Sequence, residues 1–160
     1  MLVAAGGSWA SDGWQRWAVA KAFVSIELPR AWVEGSQRGT DFSAYDPKSL
    51  DGLAISHTDG YRSLNELTSS WLPSLRQSNL KRDPAAQITA RRVTLPAGQA
   101  ERVEIVTVAP DPPHVPVVVR EYALVHSHRA YVFSFQFRKP LTPQSAQTIS
   151  HAAYSIRLVG

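Results

Sequence analysis

The segment Tyr131-Val-Phe-Ser-Phe-Gln-Phe137 restricts this chain more than any other stretch. Aromatic rings at 131, 133, 135 and 137 alternate strictly with Val132, Ser134, Gln136 and Arg138. Successive side chains of a β-strand point to opposite faces, so this period describes a strand with one face in a core and the other against water or polar neighbours. A chain carrying such a ribbon must build a sheet around it and a second layer over its rings.

The remaining sequence supplies those parts. Trp14 to Leu28 reads as extended, with Val24, Ile26 and Leu28 on one face and Phe23, Ser25 and Glu27 on the other. Pro29, with no N–H to donate, stops that ladder, and Trp32 follows. Asp41 to Tyr45 forms a second extended piece, Asp46-Pro47 a turn, and Leu53, Ile55 and His57 a third strand ended by Asp59-Gly60. Ser63-Leu-Asn-Glu66 is a capping box that opens a helix. Leu64, Leu67, Trp71 and Leu75 form its stripe, with Leu72 at the border. Pro73 lies almost opposite the stripe, where water replaces the lost hydrogen bond, and the helix is expected to end near Asn79.

Three strands follow, at about Ile88–Leu95, Ala100–Val108 and Val115–Val125. Leu95-Pro-Ala-Gly98 turns the chain between the first two, and the proline-rich loop 109–114 separates the next pair. Ser127-His-Arg129 is the expected hairpin into the aromatic strand. Thr142-Pro143 supplies an N-cap and a proline at the first helical position. Ala146, Ile149 and Ala153 make that helix's narrow buried stripe, and Ile156 and Leu158 end in an extended tail. The fold class is α+β: an antiparallel sheet with helices packed on it. The expected organisation is a flexible segment over 1–13 and a single domain over 14–160.

Composition bounds the function. A chain of 160 residues, 44% hydrophobic, is too apolar for disorder and needs no metal or disulfide staple. It contains no cysteine, which removes thiolate catalysis, cysteine zinc sites and lipid attachment through cysteine. No stretch approaches the roughly 20 apolar residues of a membrane-spanning helix. The net charge of +4 is mild, and the basic clusters at Arg76, Lys81, Arg82 and at Arg91, Arg92 lack the aromatic platforms of a nucleic-acid surface. They read as a solvated face. The first residues lack the basic start and long apolar run of a secretory signal. The expected location is cytoplasmic for the sequence as it stands, or the cell envelope if a signal precedes Met1.

Candidate chemistry is sparse. His126-x-His128 would place two rings on one face of an extended strand, with His114 as a third metal ligand or as a partner in a hydrolase site. Against this, the pair falls at a hairpin end. Asp111 and His114 share the proline-rich loop, whose simpler role is spacing between strands. No Gly-x-Ser-x-Gly elbow, phosphate loop or dinucleotide fingerprint occurs. No catalytic, cofactor-binding or metal residue is therefore assigned, and no cofactor is expected. Arg120 and Glu121 interrupt an apolar run and read as polar positions on the open face of the sheet, with Arg120 alternatively lining a recognition groove. Trp14 and Trp17 are expected to pack; Trp9 either packs on the sheet edge or anchors a partner.

Three features together resemble a known superfamily. They are the opening Phe23-Val-Ser-Ile-Glu-Leu-Pro-Arg-Ala-Trp32, the capped helix with its Leu-Pro-Ala-Gly98 turn and paired strands, and the aromatic ribbon followed by a helix and the Ser-Ile-Arg-Leu tail at 155–158. The pattern, over residues 14–158, resembles the PsbP-like domain, found also in DcrB-like proteins and lipoproteins of the LpqN type. The resemblance implies an α/β/α sandwich and a non-catalytic adaptor or binding module. It brings no catalytic residues. The implied partner is a protein, or else a lipid or small apolar ligand; an alternative role is a chaperone for apolar segments of an exported protein.

Overall fold

The computed structural model describes residues 13–159. Strands β1 (Trp14–Val19) and β2 (Val24–Pro29) form an antiparallel hairpin in register from Trp14 opposite Pro29 to Val19 opposite Val24. The single extended segment expected from Trp14 to Leu28 is thus two strands. A 3-10 turn at Ala20–Ala22 divides them, closed by Phe23 at a left-handed φ of 56°. Small side chains make the reversal feasible, since Ala22 is fully buried at the bend. Next come β3 (Val33–Glu34), β4 (Phe42–Tyr45), β5 (Gly52–Asp59) and helix α1 (Leu64–Arg82). Then follow β6 (Gln87–Leu95), β7 (Gly98–Val108), β8 (Pro116–His126), β9 (Arg129–Arg138), α2 (Pro143–Tyr154) and β10 (Arg157–Leu158).

Two antiparallel sheets result. The small one has the order β1-β2-β10; the large one runs β3-β4-β5-β9-β8-β7-β6. The aromatic ribbon is β9, near the centre of the large sheet, between β5 and β8. Its four rings are at most 3% exposed and form the main core with Val24, Ile26 and Leu28 of β2 and Ile149, Ala152 and Ala153 of α2. Tyr122 meets Phe135 edge-on and Trp32 tilts against Phe137, adding offset and edge contacts to the burial of apolar area. The alanines of α2 let it approach closely, and Thr142 caps it by accepting from the Ser145 N–H at 3.1 Å.

Helix α1 lies on the opposite face of the large sheet, against β7 and β8. The Ser63 half of its capping box forms as expected, with Ser63 Oγ accepting from the Glu66 N–H, while Glu66 Oε2 accepts from the N–H of Arg62, one residue before the cap. Pro73 is exposed. The helix runs past Asn79 to Arg82, because Lys81 and Arg82 suit its negative end and the Asp83 N–H closes on the Asn79 carbonyl. Within the helix Leu67 is buried, against Ala123 and Ala130, while Leu64 and Trp71 are half-buried. The expected antiparallel sheet with two helices packed on it is thus present. The layer that holds α2 also carries the three-stranded sheet.

Candidate functional site

Helix α1 covers only part of its face. Beyond it, the same face of β5 and β9 presents Gly52, Ala54 and Ser56 opposite Gln136, Ser134 and Val132. Side chains this short leave a trough rather than a flat surface. One cavity of about 270 Å³ is lined by Ala54, Ser134 and Gln136 with Tyr45 and Leu50 at its rim. A second of about 270 Å³ is lined by Ser56 and Val132, with Tyr61, Ser70, Trp71 and Ser74 on the helix side. The two use successive positions of the same strands, so they are segments of one trough. Gly52 is required there: a Cβ would meet the Ala44 carbonyl at 2.9 Å and Tyr45 Cβ at 3.3 Å. Val33 and Tyr45, directly opposite each other on β3 and β4, are both exposed, as is Leu50. The rim therefore offers apolar surface and the floor hydroxyls.

Glu121 lies opposite Ser134 on this same face. Burial pushes its carboxyl above the usual carboxylate range, and a hydrogen bond from Ser134 partly offsets that effect. Its Oε2 is buried and has no partner among the described residues. Arg120 points to the other face, where its Nε and Nη2 donate to Glu104 Oε2 at 3.0 and 2.7 Å. The reading of both residues on one open face is corrected by the strand period itself: neighbours in a strand cannot share a face. Arg120 accordingly does not line the trough.

The three histidines singled out in the sequence do not converge. His114 is in the loop before β8, where its ring nitrogen meets the Ala109 carbonyl. His126 ends β8, ten residues beyond Pro116, and the strand between them spans roughly 33 Å at ~3.3 Å per residue, so His126 and the loop that holds His114 are at opposite ends of β8. Ser127 and His128 adopt left-handed φ of 48° and 60°, which turns the chain and breaks the shared face that an extended pair requires. The His128 carbonyl accepts from the N–H groups of Gly60 and Tyr61, tying the hairpin tip to the entry of α1. A joint metal or hydrolase site from His114, His126 and His128 is therefore excluded by topology.

Two other histidines do meet carboxylates. His57 Nδ1 donates to Asp41 Oδ2 at 2.6 Å, and the ring stacks near Tyr131. His151 Nε2 donates to Glu27 Oε2 at 2.7 Å; Arg16 reaches Glu27 Oε1 at 3.2 Å, and Trp14 stacks on the His151 ring at 3.7 Å. The second cluster ties together two elements of one layer: Glu27 and Arg16 belong to the small sheet and His151 to α2. Among the described residues, no serine or threonine hydroxyl is bonded to either ring. Trp14 packs here and Trp17 packs against Phe42, as expected; Trp9 lies outside the described residues.

The solution structure of cyanobacterial PsbP (CyanoP) from Synechocystis sp. PCC 6803 superposes with a TM-score of 0.72 over 96% of both chains, at 13% identity. The chain has the PsbP-like fold. The Ran-binding protein Mog1p of Saccharomyces cerevisiae is similar over 93% of this chain and 97% of that one, with a TM-score of 0.61 and 12% identity. A Bacteroides thetaiotaomicron structure matches 86% of this chain at a TM-score of 0.55 and 14% identity, and this chain spans 46% of it. No family model and no curated protein matches by sequence. The PsbP-like fold explains the layer order, and at such identities it explains nothing finer. No helix among the described residues is long and apolar enough to cross a membrane.

Proposed function

We propose that this PsbP-like chain is a non-catalytic binding module whose trough, beside α1, receives a segment of a partner protein. The carrying observation is the half-covered face of the large sheet, where Ala54, Ser56, Val132 and Ser134 form an open floor between Trp71 and Tyr45. Half-exposed aromatics around a floor of small side chains suit an inserted peptide: rings supply contact area and hydroxyls supply hydrogen bonds. The Ran-binding neighbour supports a protein as the class of partner. A chaperone role for apolar segments is the second reading, favoured by the exposed Val33, Tyr45 and Leu50 at one end of the trough. A floor rich in Ser56, Ser134 and Gln136 suits peptide better than a lipid chain.

Ala54→Trp tests the reading by filling the floor. Saturable capture of a partner from native lysate is expected for the parent chain and is lost in the variant, with both equally folded by circular dichroism. Undiminished capture by the variant, or turnover by the parent chain in a hydrolase panel, overturns it.

A further inference from the structure

Arg91 and Arg92 are neighbours on β6, so they occupy opposite faces, and the faces treat them differently. Arg92 is opposite Glu101; its Nε donates to Glu101 Oε2 at 2.9 Å and its Nη2 to Asn65 Oδ1 at 3.0 Å. Arg91 is directly opposite Arg102. Like charges placed opposite each other in an antiparallel ladder are destabilising. The nearest carboxylate along that face, Glu104, is held by Arg120 through both Nε and Nη2. Among the described residues neither Arg91 nor Arg102 has an acidic partner. Three guanidinium groups thus stand around one carboxylate, beside a cleft of about 70 Å³ between β6 and β7. The excess positive charge lies at the edge of the sheet, because β6 is its last strand. Alternate residues of this nine-residue strand bond to β7, and the others present their backbone N–H and C=O on the far side, where no described strand pairs with them.

We propose that the free edge of β6 takes an extended acidic segment of a partner protein, added as a further strand, with carboxylates set against Arg91 and Arg102. A residue opposite Arg91 on an added strand is on the order of 5 Å from the Arg91 backbone and 10 Å from that of Arg102, within reach of both long side chains. A charge that merely discouraged edge pairing would work equally well with an acid across from it, as Arg92 has. The second arginine is what an incoming anion needs and what a gatekeeper does not. Backbone pairing supplies the register, and charge supplies the choice of partner. This surface is separate from the trough beside α1.

The probe is a fluorescein-labelled ten-residue peptide of alternating glutamate and threonine, titrated by anisotropy at low and at physiological salt. Saturable binding that weakens with salt is expected, with slowed hydrogen exchange at β6 amides. The double substitution Arg91→Glu with Arg102→Glu should raise Kd about tenfold or more. Arg76→Glu, on the exposed side of α1, and Ala54→Trp, in the trough, should leave Kd unchanged, so failure here is distinguishable from failure of the trough reading. The single substitution Arg102→Glu restores opposite charge across the ladder, folds, and should also weaken the peptide. Binding that survives the double substitution overturns the proposal. So does equal binding by a lysine-for-glutamate peptide or by a proline-interrupted acidic peptide that cannot form a ladder. Absence of saturation at millimolar peptide also overturns it, as does arginine-dependent binding of phosphatidylglycerol vesicles or single-stranded oligonucleotide without binding of the peptide.

Discussion

Strand β9 sends Tyr131, Phe133, Phe135 and Phe137 to one side and Ala130, Val132, Ser134 and Gln136 to the other, and the two sides meet different neighbours. The aromatic side is closed by the small sheet and α2, so large rings pack where two layers converge. The other side meets α1, which covers β7, β8 and the Ala130 end of β9 and leaves the rest of β9 and its neighbour β5 more open, so short side chains there make a trough. One strand therefore supplies both a stabilising surface and a receiving one. Side-chain size marks which is which: volume goes where a second layer returns, and space remains where none does.

The largest test of that contrast is Phe133→Ala. Removing a fully buried ring should cost about 3–5 kcal/mol, read by urea denaturation. Gln136→Ala, on the exposed side of the same strand, should stay within about 0.5 kcal/mol. Comparable losses at the two positions would break the distinction. Gly52→Ala probes the trough floor more gently. Its Cβ is too close to the Ala44 carbonyl, which is backbone and cannot swing aside, so about 1–3 kcal/mol should be lost. An unchanged midpoint would mean that β4 and β5 accommodate the group freely.

The effect confined to one pH range belongs to Glu121. Its folded carboxyl titrates above the ordinary value near 4.5 because burial disfavours the charge. As pH rises from that ordinary value toward the raised one, the unfolded chain has released its proton while the folded chain still holds it. Stability consequently falls through this window. Glu121→Gln should remove that fall, melting higher than the parent chain at pH 7 and close to it at pH 4. A gain of equal size at both pH values would show that packing, and not ionisation, separates the two.

Much of the fold was legible in order along the chain. The aromatic alternation, the Ser63 capping box, the Thr142-Pro143 helix start and the Ser127-His128 turn each depend on neighbours a few residues apart, and each was found in place. The 3-10 turn at Ala20–Ala22 leaves no mark in the sequence, because alanine and valine carry no turn chemistry. The candidate chemistry was read poorly for a related reason. His114, His126 and His128 drew attention by closeness in sequence, whereas the histidines that meet acids, His57 and His151, have partners 16 and 124 residues away. The trough had one signal that went unused: Gly52, Ala54 and Ser56 form a small-residue face alternating with Leu53 and Ile55.

The amino-acid order by itself settled which segments are strands and helices, and which face of each is apolar. These follow from side-chain periodicity and from capping groups that act over one or two turns. Tertiary structure alone decided what stands opposite each outward side chain. It set Arg102 across from Arg91 but Glu101 across from Arg92, buried Glu121 without a partner for Oε2 among the described residues, and left part of the β5 and β9 face uncovered beside α1. The reason is physical. Charge pairing and cover depend on strand register and layer position, and those arise from packing the whole chain at once, with no local pattern to announce them.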